Sequence, residues 1–182
     1  MAYEIYSGNP NDPSRSKAEQ KTYELLDSLE IPYERIDHEP AFTIEACAAI
    51  DAAFGTPMCK NLFLRNSNGS QLYLLLMPGE KPFKTKELSK QIGSTRLSFG
   101  DEVLMQTHLG VSPGSVTVLS LAFDTENKVD LLIDEDILYE AFICCHPCMN
   151  TSSLKIAKED ILTKFLPAVH HMPRIVKLTG IV

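Results

Sequence analysis

At 182 residues, with 44% hydrophobic and 23% charged side chains, the chain is long enough to bury one core, and its net charge of −7 argues against nonspecific binding to nucleic acid. No apolar run approaches the ~20 residues of a membrane span. The acidic opening Met1-Ala2-Tyr3-Glu4-Ile5 lacks the basic-then-apolar order of a signal peptide, which points to the cytoplasm.

Residues 1–15 carry Pro10 and Pro13 and are expected to be irregular. Ser16-Lys17-Ala18-Glu19 has the spacing of a capping box, and Tyr23, Leu25, Leu26 and Leu29 continue with helical periodicity, so a first helix is expected over residues 16–29. Residues 31–36 read as a short strand, and residues 42–52 as a second helix. Leu62-Phe63-Leu64, the turn signal Asn66-Ser67-Asn68-Gly69 and the apolar run from Leu72 to Met77 then form a β-hairpin with Lys60 at its mouth. Residues 84–91 and 101–109 are short helices closed by Gly93 and Gly110. A turn-rich loop, Gly110-Val111-Ser112-Pro113-Gly114-Ser115, leads into residues 116–123, read as a strand because of their apolar and β-branched character. Residues 129–133, 141–145 and 154–157 read as further strands, residues 158–166 as a last helix and residues 168–182 as a basic tail. Strands with helices inserted between them, and no strict βαβ alternation, predict a single α+β domain over residues 16–167, built on one curved, mostly antiparallel mixed sheet.

Two polar groups sit where apolar strands end: Lys60, and His146 in His146-Pro147-Cys148-Met149-Asn150. A buried charge is costly unless it binds something, so both are candidate site residues. The five cysteines (Cys47, Cys59, Cys144, Cys145, Cys148) are an odd number in apolar contexts, which suits a reducing compartment better than a disulfide framework. Cys145-His146-Pro147-Cys148 invites a zinc reading, but a closed site needs a second ligand pair and His170-His171 is the only other cluster. Buried thiols beside a functional histidine are the simpler account, and no metal is expected. Between Lys60 and Arg96, seven basic residues face two acidic ones, a local +5 that leaves −12 for the rest of the chain. Lys81, Lys84, Lys86, Lys90 and Arg96 therefore read either as a landing site for phosphate or as a solvated helix face.

Three segments, taken in order, carry a resemblance. They are Lys60-Asn61-Leu62-Phe63-Leu64, the loop from Leu109 to Thr117, and His146-Pro147-x-x-Asn150-Thr151, supported by Glu39-Pro40-Ala41-Phe42-Thr43 and Arg96-Leu97-Ser98-Phe99. Together they resemble the YbaK and ProX family of aminoacyl-tRNA editing domains, more closely the ProX type, whose mark is the His-Pro-x-x-Asn element. The resemblance implies hydrolysis of mischarged tRNA in trans, with alanine on proline tRNA as the first expectation and cysteine as an alternative. It assigns catalytic roles to Lys60, His146, Gly114 and Ser115, substrate binding to Thr43, Thr117 and Asn150, and no cofactor. The implied partners are the tRNA acceptor end, held by Lys81, Lys84, Lys86, Lys90 and Arg96, and prolyl-tRNA synthetase, with no membrane and no DNA. It also implies that the tRNA's own terminal ribose hydroxyl helps to activate water. One residue departs from the pattern: Val118 stands where the family's loop has proline, adding a backbone donor and removing a fixed φ. A second reading, a module that binds aminoacyl-tRNA or an amino acid without turnover, stays open on that account.

Overall fold

The computed structural model describes residues 3–40 and 44–181. The hairpin foreseen at Lys60 is the centre of the molecule. β3 (Cys59–Arg65) and β4 (Leu72–Pro78) pair antiparallel in the register Lys60 to Met77 and Phe63 to Leu74. β4 is a continuous apolar run because both its faces are covered. Leu72, Leu74 and Leu76 pack into the main core with Tyr23 and Leu26 of α1 (Lys17–Ser28), while Tyr73, Leu75 and Met77 pack with Leu88 and Ile92 of α3 (Thr85–Ile92).

The α+β class holds, but the strands divide between two sheets. One has the order β1-β2-β8-β7, all antiparallel: β1 (Tyr6–Ser7), β2 (Tyr33–Asp37), β7 (Phe142–Cys145) and β8 (Ser152–Ala157). The other has the order β5-β3-β4-β6-β9, with β5 (Ser98–Phe99), β6 (Val129–Asp134) and β9 (Arg174–Val176). Here β3 is antiparallel to β4 and β5, whereas β4–β6 and β6–β9 are parallel. A parallel bridge between Met58 and Cys144 joins the sheets. The remaining helices are α2 (Ile44–Phe54), α4 (Glu102–Leu109), and α5 (Lys158–Asp160) running through a π-helical turn (Ile161–Phe165) into α6 (Leu166–Ala168). Gly93 and Gly110 close α3 and α4 at φ +70° and +63°, the left-handed conformation that glycine adopts without steric cost.

The expected strand over residues 116–123 is a 3₁₀ helix, Val118–Phe123. Thr117 starts it: its hydroxyl accepts the Leu119 N–H, and its carbonyl accepts from the Ser120 hydroxyl. The run is apolar because it is buried rather than because it alternates. The ends of the chain are less irregular than expected, since β1 and β9 each extend a sheet.

The capping box is also only half formed. Ser16 Oγ accepts the Glu19 N–H, but the Glu19 carboxylate turns into the core, 2.7 Å from Arg15 Nη1. Arg15 also reaches Asp37 at 2.8 Å, and Asp37 accepts the Ser152 hydroxyl at 2.7 Å. This buried ionic network ties the N-terminal segment to the start of β8.

Candidate active site

Among the described residues β5 pairs with β3 only at Leu64 and Arg65, and from Cys59 to Leu62 that edge is in no strand ladder, β7 meeting it at the Met58 to Cys144 bridge. A cavity of about 310 Å³ opens along this edge, lined by β3, Phe99, Met105 of α4, Gly114 and Val116 of the loop, and Cys145 and His146 at the end of β7. The fold thus brings Lys60, Gly114 and His146, distant in sequence, around one space.

Strand alternation divides the two polar residues of β3. Lys60 is paired with Met77 and starts on the face of Leu62, and its ammonium donates to the Lys81 carbonyl at 2.8 Å. One of its three donors is so used, leaving two. Asn61 lies on the opposite face with Phe63, and its Oδ1 accepts the Val118 N–H at 2.7 Å. The donor introduced by valine at position 118 therefore has a partner, and the bond fixes the Asn61 amide: an N–H must face Oδ1, so Nδ2 is the remaining group. Nδ2 has only a long contact, 3.5 Å, to the Cys59 carbonyl. Asn61 consequently supplies an oriented amide on the cavity wall, at a position to which the sequence analysis gave no role of its own. Its signal was a polar side chain on the core face of a strand whose next inward residue is Phe63.

That bond makes a direct prediction. Val118 is fully buried, so Asn61→Ala strands its N–H and should cost about 1–3 kcal/mol. Thr117 is extended (φ −154°, ψ 154°) and Val118 is the first helical residue, both compatible with proline at 118. In a Val118→Pro background, the cost of Asn61→Ala should shrink by most of that amount in urea unfolding. Additivity of the two substitutions within about 0.5 kcal/mol would deny the bond.

His146 closes the turn from β7 to β8: its Nδ1 lies 2.8 Å from the Ser152 carbonyl. A carbonyl only accepts, so Nδ1 carries the proton and Nε2 is left as a bare acceptor in the neutral ring. Burial lowers the histidine pKa below its ordinary value, with the nearby His38 acting in the same direction against the Ser152 bond, so the ring is neutral at pH 7. Ser152 is itself held through its hydroxyl by Asp37, so the Arg15, Glu19 and Asp37 network stands directly behind this imidazole.

Other expected site residues are employed differently. The Ser115 N–H donates to the Ser112 carbonyl at 3.0 Å, closing a turn, and the residue is buried away from the cavity, so it offers no amide to a substrate. Thr117 is fully buried as the 3₁₀ cap. Gly114 lines the cavity at φ +86°, and a Cβ there would sit 3.5 Å from Asn150 Nδ2. Asn150 thus backs the glycine loop and does not line the cavity. Lys81 is bound by Asp134 at 2.7 Å and Asp136 at 2.8 Å and is a brace for the carbonyl that holds Lys60. Lys84, Lys86, Lys90 and Arg96 are exposed and form no ion pair among the described residues. Thr43 lies outside the described residues. Burial pushes the Cys59 thiol up to about 11 and those of Cys144 and Cys148 up to about 12, so these are neutral buried groups rather than nucleophiles. No cluster of three His, Cys, Asp or Glu suited to a metal ion occurs among the described residues, and no helix there is long and apolar enough to cross a membrane.

Residues 38–164 match the family profile of the aminoacyl-tRNA editing domain. The chain belongs to this family. Among relatives, it is 33% identical over 144 residues to the prolyl-tRNA editing protein ProX of Acetoanaerobium sticklandii, covering 79% of this chain and 88% of that protein. It is 31% identical over 152 residues to prolyl-tRNA synthetase associated domain-containing protein 1 of Danio rerio, covering 82% of each. A solved structure described as a candidate trans-editing enzyme for prolyl tRNA synthetase superposes with a TM-score of 0.66 at 13% identity, over 91% of this chain and 99% of that one. In this editing domain, the matched segment contains the whole cavity wall, from Met58 to His146.

Proposed function

We propose that this editing domain hydrolyses the ester of mischarged tRNA in trans, removing alanine from proline tRNA. The observation that carries the reading is the single cavity shared by Lys60, Asn61, Gly114 and His146. Its modest volume and apolar walls (Leu62, Phe63, Met105, Val116) suit a small aminoacyl group. A synthetase pocket built for proline cannot fully exclude a smaller side chain, so a second site that admits only the smaller one corrects the error.

Water adds to the acyl carbonyl, the bond from carbonyl carbon to ribose oxygen breaks, and the products are the free amino acid and tRNA with its hydroxyl restored. Charge develops on the carbonyl oxygen, and in this reading its stabilisation falls to Lys60 and Asn61, which line the cavity from opposite faces of β3, rather than to the Ser115 amide. His146 Nε2, a fixed acceptor, takes a hydrogen bond from the α-amino group or from the attacking water. The tRNA's ribose hydroxyl completes the activation of water. The exposed, unpaired Lys84, Lys86, Lys90 and Arg96 meet acceptor-end phosphates, and prolyl-tRNA synthetase is the source of the substrate. A non-catalytic sensor with the same pocket is the competing reading, favoured by the engagement of Lys60 with the Lys81 carbonyl.

The test is incubation with alanyl-, cysteinyl- and prolyl-tRNA of the proline type, following acyl loss. Alanine should be released and proline retained. Preferential release of cysteine would reassign the acyl group, and binding with every ester left intact would favour the sensor.

A further inference from the structure

We propose that Phe99 is the stacking platform for the unpaired terminal nucleobase of the substrate tRNA. The proposal rests on the deacylase reading for the position of the ester and adds the subsite that holds the adjoining base. A cavity of about 310 Å³ lies at the small end of the range for ligand pockets and has room for the aminoacyl group and its ribose. The base attached to that ribose must then lie on the rim.

Phe99 is on that rim. It lines the cavity mouth together with Lys60, yet 59% of its surface is open, which is unusual for a phenylalanine on a strand. The exposure is built rather than accidental. The Gly100 N–H donates to the Phe63 carbonyl at 2.9 Å, and a Cβ on Gly100 would lie 2.5 Å from the Phe63 ring, so the absence of a side chain there lets β5 sit tightly on β3. Phe99 is thereby fixed on an edge strand while its ring stays outside the core. Its one aromatic contact among the described residues is with Phe83, at 6.4 Å between centroids and 65° between planes, an edge contact rather than a stack. Charge complementarity names the occupant: Lys84 follows Phe83 and Arg96 lies two residues before β5, both exposed and without an ion pair among the described residues, so the segments that carry the two rings also carry cations suited to a phosphate backbone. An aromatic ring flanked by cations is the arrangement by which proteins hold single-stranded nucleic acid.

The test uses a proline-tRNA acceptor minihelix with 2-aminopurine as its terminal base and alanine attached through a non-hydrolysable amide. Wild type should quench the probe on binding. Phe99→Leu, which keeps apolar bulk without a π-face, should lose the quench and weaken binding about tenfold, and Phe99→Trp should retain both. In parallel, Phe99→Leu should raise KM for alanyl-tRNA with kcat nearly unchanged, and should have no effect on a substrate whose terminal base has been removed. Absence of quenching by wild type, or equal loss on the base-free substrate, overturns the platform. Quenching without turnover leaves it standing and removes the deacylase reading instead.

Discussion

Lys60→Ala should lower kcat/KM for release of alanine from proline tRNA by about 10²-fold, with little change in the unfolding midpoint. The half-buried side chain lies at the start of β3 and belongs to neither core cluster, so its removal leaves the packing of β3 on β4 intact. What is lost is the cation of a cavity-lining residue, already restrained by its bond to the Lys81 carbonyl. On the proposed role, an ammonium already held in place would stabilise the developing oxyanion without having to reorganise during reaction, so its deletion should read mainly in kcat. Lys60→Arg should recover little, because a planar guanidinium cannot satisfy one carbonyl and still present a compact charge to the substrate. Single-turnover deacylation measures the effect. A variant as fast as wild type would remove this residue from the chemistry, and a matching drop in thermal stability would make its role structural.

How much of this was legible beforehand depended on whether the signal was local. The hairpin of β3 and β4 was readable because a turn signal separates two apolar runs, and α3 and α4 because glycine stops each of them. β5 and β9 have two and three residues, too few for a period to register. The 3₁₀ helix at Val118–Phe123 was misread because a fully buried segment is apolar in any conformation, and the choice lay in the Thr117 cap and the Val118 bond to a residue 57 positions away. The division into two sheets follows from pairings between strands far apart in the chain, such as β2 with β8 and β4 with β6, which no local pattern encodes. In the site, residue types with functional meaning at strand ends, Lys60 and His146, stood out, whereas Ser115 and Thr117 turned out to hold the loop itself. Glu19 did carry a signal: it precedes Tyr23 and Leu26 by four and seven positions and so shares their inward face, which marks a carboxylate that needs a buried partner.

The histidine supplies a prediction of comparable size. His146→Ala should reduce kcat by about 10²-fold, within the range of a positioned acid or base group. The sign of its pH dependence follows from its environment. Burial lowers the pKa below the ordinary 6.5, so the imidazole stays neutral as pH falls from 8 through 7, and Nε2 continues to accept. Enzymatic release, after subtraction of spontaneous ester hydrolysis, should therefore be flat over that span and decline only below 6.5, where Nε2 takes a proton and no longer accepts. Stability should move in the same direction: the unfolded chain binds that proton more readily than the folded one, so this contribution is complete above the unfolded value and is lost as pH falls from there through the lower folded value. In His146→Gln the acidic limb of the rate profile should vanish along with most of the activity. If the limb persists unchanged in that variant, the titrating group is elsewhere, and the Ser152 carbonyl, which fixes the tautomer, is then only closing a turn.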